Sequence, residues 1–382
     1  MIARAYLSAF ALILAAAPLG AQTIPAIPVR TLSAPTATTR EPIFNVAGIK
    51  QLPDGRLVVN DPRRSRILLF DTTLTSYTLL LGSDSKDTPP TPTASPIIPY
   101  LGDSVLYVDI GARSFTVIEP SGRMGRTMAP PVDQAISSMN GPTSGAVDAH
   151  GNLIFKGMVY RTTRVDQATG RMITEPAPDS APVLRANFDT RKVDTLGKVR
   201  IAFGSGSVMG RDAAGKETWT TTLNPSMPVI DEWCVLSDGT VALVRGRDYH
   251  VDWIDADGTR RSTPRMPMAW RRLTDDDKRM KLDSLHRLVD SLAATPRPMG
   301  MMLRGRPDMP GMDTLYAWIL PTTSLDARGG LLYDVVNKKG EVFERVQLPK
   351  NRVIAGFGRG GIVYVMVRNP EGLIIERTRI ER

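Results

Sequence analysis

A short unit, made of a polar or glycine-containing turn and an apolar strand, occurs six times along the chain. Its copies are PDGRLVVND from Pro53, GDSVLYVDI from Gly102, AHGNLIFKG from Ala149, SDGTVALVR from Ser237, GMDTLYAWI from Gly311 and GRGGIVYVMV from Gly358. Most copies are followed by a second strand and a hairpin, the pattern of a four-stranded antiparallel sheet. Such a sheet cannot bury both faces alone, so we expect the sheets to stack around an axis until the ring closes. The sequence therefore predicts an all-β fold, a six-bladed β-propeller.

The turn residues support this prediction. Glycine follows a polar residue at four predicted hairpins, in the pairs Asp54-Gly55, Asp238-Gly239, Asp257-Gly258 and Lys339-Gly340. Tight hairpin turns need positive φ, which is costly for a residue with a Cβ atom. The chain also has 32 glycines and 30 prolines, so frequent turns and few long helices are expected.

Three stretches interrupt the repeat, at 158–181, 201–228 and 266–310, and we expect them to be loop insertions that form a contact face. The last one predicts an amphipathic helix over about 274–292, with Thr274 as N-cap and an acidic first turn. An apolar stripe of Leu282, Leu285, Val289 and Leu292 predicts that this helix docks on the ring. A mobile lid or a partner-binding helix is the alternative.

The first 21 residues have one positive charge, an apolar run and small residues before Gln22, as in a secretory signal peptide. We predict cleavage after Ala21 and a periplasmic or extracellular protein without a membrane span; an uncleaved N-terminal anchor is the alternative. Residues 22–45 form an N-terminal segment whose strand at 27–32 would close the last blade, and residues 46–382 form the propeller. The single cysteine, Cys234, is expected to be a small buried residue, with a reactive thiol as the alternative.

The strings PDGRLVVNDPRRSRILLFD, SDGTVALVRGRDYHVDWIDADGT and YDVVNKKGEVFERVQLP resemble the exported bacterial six-bladed propellers related to NHL and TolB-like proteins. The resemblance covers roughly residues 46–382. It implies the fold, and its motifs specify architecture far better than activity. The group includes calcium-dependent lactonases and esterases, quinone-dependent sugar dehydrogenases, lyases and binding modules.

Candidate site residues follow the strands of the six repeat units, because propellers usually bind ligands at one pole of the central channel. They are Asn60, Asp61, Asp109, Lys156, Arg245, Arg247, Asp248, Trp318 and Arg368. Asn60, Asp61 and Asp109 could contribute oxygen ligands to calcium, but Lys156 and Arg245 would put positive charge beside that metal. The alternative is that these charges neutralise one another around a wet channel.

The chain has few of the residues that nucleophilic catalysis would need. With three histidines and no G-x-S-x-G motif, nucleophilic catalysis is not indicated. A methionine-rich stretch containing Met299, Met301, Met302, Met309 and Met312 offers soft ligands for Cu(I), and a loop that packs on the propeller is the ordinary interpretation.

The net charge is +9, yet no basic run with interleaved aromatic residues indicates nucleic acid. We therefore predict a monomeric binding module without a resident cofactor, whose partner is a protein or a small anionic ligand of the cell envelope. A propeller enzyme, either a calcium-dependent lactonase or esterase or a quinone-dependent oxidoreductase, is the alternative.

Overall fold

The protein is a six-bladed β-propeller in a computed structural model, as the six repeats predict. The structure describes residues 27–41, 43–82, 96–139, 145–160, 162–170, 172–174, 178–202, 206–211, 217–223, 229–268, 274–294, 311–312, 316–320 and 329–381.

Each blade is a sheet in which consecutive strands of the chain pair antiparallel and run outward from the axis, and a strand of the N-terminal segment adds to the outer edge of blades 5 and 6. Blade 1 contains Ile49–Gln51, Leu57–Asp61, Arg66–Phe70 and Tyr77–Leu81. Blade 2 contains Ile97–Pro99, Val105–Asp109, Ser114–Ile118 and Met124–Met128. Blade 3 contains Gly145–Val147, Leu153–Lys156, Ser180–Ala186 and Val193–Arg200.

The remaining blades include both ends of the described chain. Blade 4 contains Glu232–Val235, Val241–Arg245, His250–Ile254 and Arg260–Ser262. Blade 5 contains Gly311–Met312, Ala317–Ile319, Leu332–Val336, Val342–Gln347 and Val29–Thr31. Blade 6 contains Arg352–Phe357, Ile362–Asn369, Gly372–Arg379 and Ala37–Thr38.

Six apolar clusters hold the ring together, and each is shared by two consecutive blades. The cluster between blades 6 and 1, for example, joins Tyr364 and Ile375 to Leu57 and Phe70. A β-sheet has two apolar faces here, and each neighbour covers one of them. The ring therefore closes because blade 6 packs one face against blade 5 and the other against blade 1.

The N-terminal segment closes the ring differently from the prediction for residues 27–32. Val29–Thr31 pairs in parallel with Val342–Gln347 and becomes a fifth strand on blade 5. Ala37–Thr38 then pairs antiparallel with Gly372–Arg379 and supplies the fourth strand of blade 6. The segment thus crosses from one blade edge to the next, since both edges have unpaired backbone groups that a passing strand satisfies.

The predicted hairpin glycines all have positive φ, between 82° and 90°, at Gly55, Gly239, Gly258 and Gly340. Two of the insertions contain hairpins of their own, Thr163–Val165 with Met172–Thr174 and Gly206–Arg211 with Glu217–Leu223. Short helical segments occur at Pro62–Arg64, Leu101–Asp103, Asp133–Ser138 and Arg359–Gly361.

The predicted long helix spans Asp275–Ala294. Thr274 caps it: the N–H of Asp277 donates to the Thr274 hydroxyl at 3.1 Å, and the Asp277 carboxylate accepts from the N–H of Thr274 at 2.9 Å. Leu282, however, is 55% exposed, so the expected docking of the apolar stripe is wrong for this residue. The side chains of Leu285, Val289 and Leu292 lie outside the described residues.

Candidate functional site

The pairing of the first two strands in each blade distinguishes the two ends of the ring. In blade 1, the N–H of Ala47 donates to the carbonyl of Asn60 at 3.1 Å, so the second strand ends where the innermost strand begins. We call this end the start pole. The other end is the turn pole, where tight turns such as that at Gly55 connect the strands. The six repeat units are second strands, so the predicted site residues lie mainly at the start pole.

Asp61 is fully buried and already has three partners. Its carboxylate accepts hydrogen bonds from the backbone N–H groups of Phe44 and Asn45, at 3.3 and 3.0 Å. The Nε atom of Arg66 donates to the same carboxylate at 3.2 Å, and Arg66 is only 3% exposed. A buried carboxylate with these donors ties the segment before blade 1 to the second strand. Its oxygens do not face the channel as free metal ligands.

A second charged network occupies the start pole of blade 4. Arg245 donates from Nη1 to Asp231 at 2.9 Å and from Nε to Asp252 at 2.7 Å. Burial would raise the pKa of Asp252, but hydrogen bonds from Ser262 and Arg245 outweigh it and keep the pKa low. Asp231 also accepts from the N–H of Arg200, at the end of the outer strand of blade 3. Arg245 therefore joins two blades.

The other predicted residues do not converge. Asp248 pairs with Arg265 at 3.1 Å, and Asp109 accepts from the N–H of Ala112 at 2.8 Å. Asn60 and Trp318 are buried, and Trp318 packs against Tyr333 and Phe357 in the core. Three further candidates are exposed and lie on separate blades: Lys156, Arg247 and Arg368.

These positions do not form a cluster of calcium ligands. Within the described ranges, no three His, Cys, Asp or Glu side chains are grouped so that they could hold a metal ion. At Asp61 the Arg66 guanidinium takes the place a cation would need. The copper candidates Met299, Met301, Met302 and Met309 lie outside the described residues, and Met312 belongs to the strand Gly311–Met312.

A polar cleft opens at the turn pole between blades 3 and 4, with a volume of about 290 Å³. Its lining residues are His150, Asn152, Arg185, Asn187, Thr190, Lys192, Asp194 and Ala256. Two basic side chains face one carboxylate there: Arg185 lies 3.7 Å from Asp194, and Lys192 lies 3.3 Å from it. Apart from His150, the described lining residues therefore carry one more positive than negative charge.

Hydrogen bonds fix the amide side chains of this cleft. The Nδ2 atom of Asn187 donates to Oδ1 of Asn152 at 2.8 Å, and Asn152 in turn donates to Asp148 at 2.9 Å. Asn187 also accepts from the N–H of Thr190. These bonds hold the two turns of blade 3 side by side, so the polar groups of the cleft are preorganised.

Other blade junctions at the turn pole are bridged by arginine. Arg56 donates to the carbonyl of Ser121 at 2.7 Å, Arg377 to that of Thr72 at 2.6 Å, and Arg261 to that of Lys338 at 2.7 Å. Blades 3 and 4 are also bridged, because Arg260 donates to the carbonyl of Leu196 at 2.6 Å. Arg185 lies at the same junction, and among the described contacts its guanidinium meets only Asp194. The remaining N–H groups of Arg185 can therefore bind a ligand in the cleft.

Sequence reasoning missed the cleft because it searched the ends of the repeat strands. Arg185, Lys192 and Asp194 lie in the hairpin PVLRANFDTRKVDTLGKV, where alternating charges on paired strands were the only available signal. His150 and Asn152 come from a different turn, and only the fold brings the two turns together.

The fold and the cleft define a β-propeller with a small polar site between two blades. Among solved structures, a streptogramin B lyase is 13% identical over 90% of this chain and 96% of its own, with a TM-score of 0.41. A member of the duf4221 family from Bacteroides vulgatus is 11% identical over 92% and 98%, with a TM-score of 0.46. Regucalcin from Agrobacterium tumefaciens, a calcium-binding protein, is 11% identical over 92% and 96%, with a TM-score of 0.45.

At these identities and TM-scores the likeness assigns no activity to the chain. No protein-family model and no curated protein sequence matches it. Among the helices of the described residues, none is both long and apolar enough to cross a membrane.

Proposed function

We propose that the chain is a ligand-binding propeller of the cell envelope and that the cleft between blades 3 and 4 takes a small anionic molecule. The observation that carries the proposal is the pair of basic side chains, Arg185 and Lys192, in a cleft whose one acidic residue among the described lining residues is Asp194. A guanidinium group binds carboxylates and phosphates in a forked geometry, and amide groups such as Asn152 and Asn187 complement hydroxyl groups. An acidic sugar combines both features.

Size and charge point the same way. A cleft of about 290 Å³ is at the small end of ligand sites, so it suits a single sugar or a small acid rather than a polymer segment. The net charge of +9 would also favour approach of an anion.

Calorimetric titration of the purified chain with galacturonate, with galactose as the uncharged comparison, tests the proposal. Arg185→Met should weaken galacturonate binding roughly ten- to hundredfold, the loss of one charged hydrogen bond of about 1.5–3 kcal/mol. Binding should also weaken as salt rises. Lys339→Met is the control for the loss of one positive charge. Lys339 is an exposed lysine in blade 5, in the turn that corresponds to the Lys192 turn of blade 3. Equal binding of galactose, or no effect of Arg185→Met, would contradict the proposal.

The enzyme alternative remains a prediction with its own test. Calcium that stays bound in stoichiometric amount after gel filtration, measured by elemental analysis, would favour a metal-assisted lactonase or esterase over a binding module. The same measurement covers copper at the methionine-rich stretch.

Export and the monomeric state are also part of the proposal. Residues 1–21 lie outside the described residues. The supporting feature is the charge, apolar run and small residues of the N-terminus. N-terminal sequencing of the exported protein should begin at Gln22, and light scattering should give the mass of one chain.

A further inference from the structure

A second group of charged side chains surrounds the channel mouth at the turn pole, far along the chain from the cleft residues. Lys50 lies on the innermost strand of blade 1. Asp103 and Arg359 lie in the turns that follow the innermost strands of blades 2 and 6. The Nη2 atom of Arg359 is 2.6 Å from Oδ1 of Asp103, so an ion pair connects blades 6 and 2 past the strand of blade 1. Three consecutive blades therefore meet around Lys50.

The backbone of this mouth is held in place. The side-chain oxygen of Gln51, which is 8% exposed, accepts a hydrogen bond of 2.8 Å from the N–H of Arg359. Gln51 is the neighbour of Lys50 on the same strand. The turn that carries the Arg359 guanidinium is thus fixed to the strand that carries the Lys50 amine.

Lys50 is partly buried, and its amine has no hydrogen bond and no ion pair among the described contacts. Burial lowers the pKa of Lys50, the Asp103 carboxylate raises it, and the nearby Arg359 cation lowers it again; the net effect is a lowered pKa. A lysine that is desolvated beside another cation holds more of its neutral, nucleophilic form at neutral pH. Asp103, which would otherwise neutralise this amine, is paired with Arg359 instead.

Arg359 offers an anchor for a carboxylate. The side chains of Arg359 and Asp103 are 57% and 48% exposed, and an exposed ion pair contributes little free energy. A ligand carboxylate can therefore replace Asp103 on the guanidinium. The rest of that ligand would then lie close to Lys50.

We propose that Lys50 forms a reversible imine with a small 2-oxo acid whose carboxylate is held by Arg359. The lone pair of the neutral amine attacks the ketone or aldehyde carbon, and a C–N bond forms as the C=O π bond breaks. The resulting carbinolamine loses its oxygen as water together with the two amine hydrogens, which leaves a C=N bond. No oxidant or reductant is needed, and water reverses the reaction. This site is independent of the cleft between blades 3 and 4.

Reductive trapping tests the proposal. The purified chain is incubated near neutral pH with glyoxylate and cyanoborohydride, which donates hydride to the C=N bond, and the modified lysines are mapped by peptide mass spectrometry. We expect modification of Lys50 to be several-fold faster than that of Lys339, an exposed lysine in the same sample. Equal rates at the two lysines would overturn the proposal.

Two variants separate a reactive lysine from a merely accessible one. Asp103→Asn should speed trapping at Lys50, because it removes the charge that raises its pKa and frees Arg359. Arg359→Met should slow it and should also abolish the preference for glyoxylate over acetaldehyde, which has no carboxylate. Both changes are at exposed positions, and circular dichroism checks that the variants fold. Rates that change in the same direction in both variants would also overturn the proposal.

Discussion

The Nε atom of Arg66 lies 3.2 Å from the carboxylate of Asp61, and both side chains are almost completely buried at the start pole of blade 1. Removing one partner of such a pair leaves the buried charge of the other without its counter-ion. We expect Asp61→Ala to lower the free energy of unfolding by about 3–5 kcal/mol. Urea-induced unfolding measures this change.

The exposed pair of Asp248 and Arg265 provides the control for that experiment. Asp248→Ala should lower the free energy of unfolding by no more than about 1 kcal/mol, because solvent screens the pair. Similar losses in the two variants would show that Asp61 does not have the structural role assigned to it.

The turn glycines of blades 4 and 5 separate backbone strain from contact between blades. Gly258 and Gly340 have φ values of 89° and 82°, and a Cβ at Gly258 would meet no atom within 4 Å, whereas one at Gly340 would overlap Thr263 of blade 4. Gly258→Ala should cost about 1–2 kcal/mol of stability from backbone strain alone. Gly340→Ala should cost clearly more, and thermal unfolding of the two variants compares them. Equal costs would mean that the turn of blade 5 does not press on blade 4.

The substitution Asp71→Asn should reduce the loss of folding stability at acid pH. Hydrogen bonds from Ser76, together with those from Thr73 and Thr75, hold the pKa of Asp71 below its usual value of 3.8. Its contribution to stability is therefore present above about pH 4 and is lost as the pH falls below the pKa of the unfolded chain. Asp71→Asn cannot titrate, so its unfolding midpoint should fall less between pH 6 and pH 3 than that of the wild type.

Ser76→Ala tests the same effect without changing the charge. It removes the hydrogen bond of 2.7 Å that does most to lower the pKa of Asp71, so its unfolding midpoint should also fall less between pH 6 and pH 3 than that of the wild type. A steeper dependence in Asp71→Asn than in the wild type would contradict the sign of the effect.

Cys234 should be unreactive in the folded protein. It is 6% exposed, and burial raises its pKa to about 12, so almost no thiolate forms at neutral pH. A disulfide reagent that reports thiol release should detect no thiol in buffer and one thiol per chain in strong denaturant. Rapid reaction of the native protein would restore the alternative of a reactive cysteine.

The sequence predicted what depends on local pattern. Alternating apolar strands and positive-φ glycines such as Gly55 have signatures within a few residues, and they gave the blades, the ring and the hairpin turns. The capped start of the helix at Thr274 was predictable for the same reason. The burial of Cys234 followed from its position on an apolar strand.

Features that depend on neighbours in space were not predictable. Nothing next to Asp61 indicates that Arg66 turns back to pair with it inside the fold, so its carboxylate looked like a free ligand. The cleft needs turns from two parts of blade 3 and one from blade 4. Lys50 lies on a strand of only three residues, too short to show a pattern.

The N-terminal segment has a consequence for the order of folding. Val29–Thr31 and Ala37–Thr38 are made before any blade exists, yet their partners Val342–Gln347 and Gly372–Arg379 come near the end of the chain. Val29–Thr31 therefore cannot form its final pairing until four blades and most of the fifth have been synthesised. A nascent chain halted before residue 342 would leave both early strands without their final partners. Chaperones that hold extended segments would find them in this interval.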